Sequence, residues 1–330
     1  MRAYLIRRLF LIIPTLFLVT IIVFLTVRFV PGSLIDLLAS QQAGEATMDP
    51  EVIAAQIRHD LGLDQPVWKQ YLRWLGAWQQ DDGTVSGVLQ GDLGESLWTH
   101  RPILEDIVNK IPISLELGII AIITALLIAF PIGIYSAIRQ DTMGDYVGRS
   151  IAITFMAVPG FWIATMIIVF PSVWWGWIPP IEYTPITENF SKNIQQFIIP
   201  SILMGMVMSG VTMRMTRTMM LEVLRQDYIR TAWSKGLRER VVVIRHALKN
   251  AMIPVVTVIG LQLPVVIGGT VIMEQIFNLP GMGRFLIDSL SQRDYSVISG
   301  INIMMGSVIL IGNLLTDLTY GFLDPRIRYR

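Results

Sequence analysis

The sequence predicts an all-α integral membrane protein with six transmembrane helices and both termini in the cytoplasm, on three observations. Of its 330 residues 53% are hydrophobic and only 15% charged, whereas soluble domains sit at roughly a quarter charged, and the mean hydropathy is +0.56. Six stretches are apolar over about the 20 residues that a helix needs to cross a hydrocarbon layer of about 30 Å. Lysine and arginine gather in the segments that would face one side.

The first span is Leu9 to Val30, opened by Arg7 and Arg8 and closed by Pro31-Gly32. Its apolar core is too long for a cleaved signal peptide, and no small-residue cleavage site follows. Residues 31–111 form an insertion with twelve Asp/Glu and five Lys/Arg, expected outside the cell. Within it "MDPEVIAAQIRHDLGL" predicts a short helix, with Asp49 as N-cap, Pro50 at the first helical position and Gly62 near the end. "VWKQYLRWLGAW" spaces Val67, Tyr71, Leu72, Trp74, Leu75 and Trp78 along one helical face, for the outer leaflet or the transmembrane bundle, or else for an external partner. "DDGTVSG" and "GDLGES" are turn signals.

Residues 112–330 carry the remaining spans, expected at 112–138, 149–173, 197–219, 251–276 and 296–318. Several contain Pro or Gly, among them Pro131, Pro159, Pro254 and Gly268, which membrane helices tolerate when neighbours satisfy the freed backbone groups. With the N-terminus inside, residues 1–8, 139–149, 214–249 and the tail carry 3, 2, 9 and 3 of the 26 Lys/Arg. Arg28 and Arg214 near span ends are expected to snorkel, and Asp317 to pair with a neighbour or sit at the inner interface.

Composition also excludes chemistry. The chain has no cysteine and three histidines, His59, His100 and His246, far apart in sequence. Disulfides, thiolate metal sites and cysteine nucleophiles are ruled out, and a histidine metal centre is not expected. No G-x-x-x-x-G-K-[ST] phosphate loop is present, and no cofactor is expected on this chain. The net charge of +1 gives no reason to expect a nucleic-acid partner.

The most informative stretch is "EVLRQDYIRTAWSKGLRERVVVIRHALKN", Glu222 to Asn250, with seven Lys/Arg against three Asp/Glu. Trp233, Leu237, Val241, Ile244 and Leu248 recur at helical spacing, with Leu224 and Tyr228 upstream. Gly236 interrupts the run and suits a left-handed turn between two short helices. Such a segment fits either an anionic lipid surface or a groove on a cytoplasmic protein.

"DYIRTAWSKGLRERVVVIRHALKNAMIPVVTVIG" resembles the cytoplasmic loop of ATP-binding cassette importer permeases of the dipeptide/oligopeptide/nickel group. The general loop of such permeases, E-A-A, three residues, Gly, nine residues, I-x-L-P, falls on Arg230-Thr231-Ala232, Gly236 and His246-Ala247-Leu248-Lys249. Only Ala232, Gly236 and Leu248 match it, and the departures resemble the peptide branch. "RRLFLIIPT", "FVPGS", "LGLDQPVWKQY", "GDLGES", "AVPGFW", "EQIFNLPGMGRFLIDSLSQRDY" and "LLTDLTYGFLDPRIRY" extend the likeness along the chain.

The resemblance implies a non-enzymatic permease subunit of the bacterial inner membrane that moves peptides by alternating access. Its relatives also import nickel chelates, glutathione or oligosaccharides. Implied partners are a second homologous permease subunit, usually a different chain, two cytoplasmic subunits that bind ATP and Mg, and an extracytoplasmic solute-binding protein. Tyr228, Arg230, Thr231, Ala232, Lys235, Gly236, Leu237, Arg245, His246 and Leu248, in a loop taken as 220–250, would couple to the ATPases. Glu274, Phe277, Pro280, Gly281 and Met282, in or beside a loop at 277–295, would form an external gate. Glu274 is open to two readings, a contact for substrate ammonium groups or an interfacial carboxylate. An ion-coupled transporter would carry inverted repeats and mid-span charges, and an intramembrane enzyme a catalytic pair within a span, and neither pattern is found.

Overall fold

The computed structural model describes residues 2–29, 39, 49–60, 64–80, 83–180 and 182–323. The expected positions of Val30, Pro31-Gly32, Gly62, "FVPGS" and the end of the tail lie outside these residues, as does the Arg28 side chain. In chain order the helices are α1 (Arg2–Phe29), α2 (Pro50–Asp60), α3 (Val67–Leu75), α4 (Ile103–Ile138), α5 (Met143–Ala157), α6 (Gly160–Trp175) and α7 (Phe190–Leu224). They continue as α8 (Asp227–Ser234), α9 (Glu239–Val241), a π-helical segment (Val242–Leu248), α10 (Lys249–Leu261), α11 (Leu263–Ile276), α12 (Met282–Ser291) and α13 (Tyr295–Leu323).

Among the described residues five helices are long and apolar enough to cross a membrane, and α5 with α6 makes a sixth if that bent pair is one span. Two expected spans are corrected. The third, read as a straight 149–173, is α5 and α6 meeting at 87°. The cause is local: proline has no N–H and bars its predecessor from helical angles, and Val158 before Pro159 is extended at φ −90°, ψ 124°. The fifth, read as 251–276, is displaced and divided. Its apolar helix runs Glu239–Leu261, and α11 restarts after Gln262 with Pro264 in its first turn.

Other edges move outward. α4 starts at Ile103 and carries Pro112 and Pro131 inside. α7 starts at Phe190, because Asn189 caps it by accepting from Lys192 N at 3.1 Å. α6 stops at Gly176, left-handed at φ 65°, whose N–H donates to Ser172 O. Trp174 and Trp175 beside it are 64% and 75% exposed, as in the aromatic belts of membrane interfaces.

The chain divides into two compact units. The first is built on Pro112–Arg284 with both ends of the chain. Its principal core joins Leu117, Ala121 and Ala125 of α4 to Phe197 and Met204 of α7 and Val266 and Met273 of α11. Arg8 of α1 meets Asp317 of α13 at 2.9 Å, so Asp317 has a named partner. The second unit is built on Phe10–Ile111 and Phe285–Ser307. There α2 opens as expected, Asp49 Oδ1 accepting from Glu51 N at 3.0 Å.

In α3, Leu75 is buried and Tyr71 and Trp74 pack on Phe24 of α1, with Tyr71 OH 2.8 Å from Thr20 Oγ1. The helix therefore lies on α1, whereas Val67 and Trp78, expected on the same face, are 50% and 44% exposed. "GDLGES" meets "SQRDY": buried Ser96 Oγ donates to Asp294 Oδ2 at 2.7 Å, and Asp294 Oδ1 accepts from Val297 N at the start of α13.

Candidate functional site

The basic segment folds onto the ends of α4 and α7. α7 stops at Leu224, Gln226 is extended, and α8 begins at Asp227. Ile229 and Ala232, three apart and so on one face, are buried with Ala137 of α4, Met220 of α7, and Val242, Val243 and Ala247 of the π segment. Leu237 and Leu248 close over this cluster as half-buried neighbours. Gly236 sits in the gap between α8 and α9 at φ +74°, with open space around a would-be side chain. Backbone angle alone calls for glycine there.

The left-handed turn expected at Gly236 lies between α8 and α9, and the apolar stripe expected through Trp233, Leu237, Val241, Ile244 and Leu248 does not form one face across it. Trp233 and Ile244 point outward at 45% and 52% exposed, with Tyr228 at 43%, while Leu237, Val241 and Leu248 are half-buried. Arg230, Thr231, Lys235 and Arg245 are exposed and His246 half-buried. Ala232 is the exception among the expected coupling residues, at 6% exposed. Asn250 Nδ2 donates to Tyr228 OH at 2.8 Å and His246 O at 3.2 Å, which ties α8 to the helix descending from the π segment. The outer face thus presents three apolar side chains among several cations.

The helix that carries the segment is clamped. Arg217 of α7 donates through Nε and Nη2 to the two oxygens of Asp145 in α5, both at 2.7 Å, and Asp145 is fully buried. Asp145 also accepts from Asp141 N at 3.0 Å, and Thr142 caps α5. The sequence carries two signals for this pair, the Thr-x-x-Asp start of α5 and the arginines Arg214 and Arg217, one turn apart in a mostly apolar stretch of α7.

At the far end of α11 the expected gate residues form one latch. Asn278 is left-handed at φ 57°, and Leu279 N donates back to Glu274 O at 2.9 Å, the Schellman closure of a helix C-terminus. Glu274, fully buried, accepts at Oε2 from Gly283 N (2.7 Å) and Arg284 N (3.0 Å). At Oε1 it accepts from Ser114 Oγ at 2.5 Å, and Ser114 Oγ in turn accepts from Met282 N at 2.8 Å. Glu274 therefore caps α12, a favourable place for an anion, and its carboxylate is engaged by Ser114 and by backbone N–H groups at the start of α12. A Cβ on Gly281 would lie 2.4 Å from the Glu274 carboxyl carbon, so glycine is needed for this close approach. Phe277 and Met282 are buried and Pro280 half-buried. Ser114 was absent from the expected residues. No group of acidic or histidine side chains able to hold a metal occurs among the described residues.

An all-helical chain with five or six apolar spans and a basic, partly apolar elbow on two of their ends is an integral membrane permease. The chain belongs to the binding-protein-dependent transport system inner membrane component family, which it matches over residues 129–329, while residues 1–118 match that system's N-terminal membrane-component region. It is 38% identical over 353 residues to the dipeptide transport system permease protein of Escherichia coli, with 100% of each chain covered. It is also 37% identical over 327 residues to the glutathione transport system permease protein of Salmonella paratyphi A, with 99% of each covered. A crystal structure of an amino acid ABC transporter with histidines shares the fold at a TM-score of 0.51 and 13% identity, covering 66% of this chain and 94% of that one. The protein is thus a multi-pass permease of an ABC importer in the bacterial inner membrane, a family that works with ATPase and binding-protein components.

Proposed function

We propose that this chain is one of two homologous membrane subunits of an importer for short peptides, paired with a different permease chain. Of the importer's two cytoplasmic ATPases, carrying ATP and Mg, one docks on the 227–250 segment of this chain, and an extracytoplasmic binding protein delivers the solute. The observation that carries the reading is the exposed row Tyr228, Trp233 and Ile244 among Arg230, Lys235 and Arg245, rooted on the ends of α4 and α7. Aromatic and arginine side chains so displayed are the usual anchors of a protein interface. Closing of the ATPases would push this elbow and rotate the attached helices as rigid bodies.

Both termini and the 227–250 segment face the cytoplasm in this account, and residues 31–111 the exterior. The Arg8–Asp317 pair supports termini on one side, because it joins the start of α1 to the end of α13. Among the expected gate residues, Phe277, Pro280, Gly281 and Met282 shape the outer loop, and Glu274 holds it. The named relatives move dipeptides and glutathione, and both point to short peptides as the solute class.

The chain has no cysteine, so one introduced thiol reports one site. In the assembled importer Trp233→Cys is expected to resist a membrane-impermeant maleimide added to whole cells and to cross-link to the ATPase. Labelling from outside, or cross-linking to lipid alone, would overturn the docking assignment.

A further inference from the structure

Between α5 and α7, with Ser136 of α4 at its inner end, lies an open cleft of about 400 Å³. Its walls are apolar, from Ala152, Ile153, Met156 and Met213, and three guanidinium groups line it, those of Arg149, Arg214 and Arg217. Arg217 is engaged by Asp145. Arg149 is not matched as well: Nε lies 3.4 Å from Asp145 Oδ1 and Nη2 3.9 Å from Asp141 Oδ1, and both nitrogens are buried without a hydrogen bond. Ser136, 2% exposed, likewise leaves its Oγ unpartnered. Arg214 forms no ion pair among the described residues. Three cations thus face two carboxylates around an oily recess, with donors left over.

Depth narrows the ligand. At 1.5 Å per residue, Arg217 and Arg214 lie about 10 and 15 Å before the end of α7 at Leu224, where the 227–250 segment is rooted. The apolar span expected at 197–219 ends just beyond them, so in the proposed orientation both sit toward the cytoplasmic edge of the apolar layer. Guanidinium there seeks a phosphate oxygen, which it can hold in a bidentate fork. Ile153 is 67% exposed and Arg214 exposed, so a lipid can reach the recess from the side. A free, hydrated phosphate gains nothing from walls of alanine, isoleucine and methionine, whereas an amphiphile uses both parts.

We propose that this cleft binds the phosphodiester headgroup of an anionic phospholipid, with Arg149 and Arg214 on the phosphate and the glycerol and first acyl carbons on Ile153 and Met156. The lipid would bridge α5 and α7 beside their buried ion pair. The assignment does not depend on which solute is carried or on what the basic elbow binds.

The test is native mass spectrometry of the full-length chain released from detergent, titrated with phosphatidylglycerol, phosphatidylcholine or inorganic phosphate. The wild-type chain is expected to retain one phosphatidylglycerol in preference to phosphatidylcholine, and inorganic phosphate in excess is expected not to displace it. Arg214→Ala removes the unpaired cation, and Ile153→Trp fills the recess from an exposed position. Arg214→Ala should weaken that binding about tenfold, roughly the worth of one charge-assisted contact, and Ile153→Trp should weaken it by occluding the acyl part of the recess, while Arg225→Ala, outside the cleft, should not. Equal retention of phosphatidylcholine, displacement by inorganic phosphate, or unchanged binding in both cleft variants would overturn the proposal. So would a cleft sealed against the second permease subunit, with no lipid retained, in the assembled importer.

Discussion

At the scale of single residues, two buried carboxylates organise the first unit. Glu274 accepts from Ser114, Gly283 and Arg284, so Glu274→Ala leaves three donors facing nothing. Leaving buried polar groups unpaired costs about 1–3 kcal/mol each, and the expected result is a clear drop in the thermal midpoint of the purified protein. A solute contact would behave in the opposite way, with transport impaired and the midpoint unmoved. Asp145 makes the same kind of argument with a charge. Asp145→Ala strands Arg217, and breaking one partner of a buried pair costs about 3–5 kcal/mol. The double variant Asp145→Ala/Arg217→Met should recover much of that loss in the same melting experiment, since it removes both charges together.

At the scale of elements, what could be read from sequence depended on how local the cause was. The apolar stretches, the Asp49 cap, the left-handed Gly236 and the basic elbow are written in neighbouring residues, and all were legible. The bend between α5 and α6 is equally local, since Pro159 enforces it, but hydropathy runs through it unchanged and hides it. Pro159→Ala frees Val158 to be helical, and spin labels at Val147→Cys and Val173→Cys, both on exposed positions, should then move further apart. An unchanged distance would mean that packing sets the 87° angle. The latch around Glu274 was only half legible. "NLPGMGR" announces a turn, yet Ser114, 160 positions away along the chain, could be assigned only once α4 and α11 were seen side by side. The apolar stripe of the elbow was legible only in part: Gly236 announces the break, but nothing local shows that Val242–Leu248 winds as a π-helix, where side chains spaced for an α-helix no longer share a face. The outward row is Tyr228, Trp233 and Ile244, and the inward one Ile229, Ala232 and Ala247.

At the scale of the whole molecule, the proposed coupling asks the chain to act as a lever. Rigid helices α4 and α7 end in a shared apolar joint, and that joint holds α8 with its exposed face free. The measurement that tests this most directly is ATP-driven uptake of a labelled short peptide into proteoliposomes holding the complete importer, comparing wild type with Trp233→Asp. Trp233 is outside the joint, so the variant should insert and melt like wild type while peptide uptake and stimulated ATP hydrolysis become unlinked. Uptake at the wild-type rate by a correctly folded Trp233→Asp importer would contradict the account.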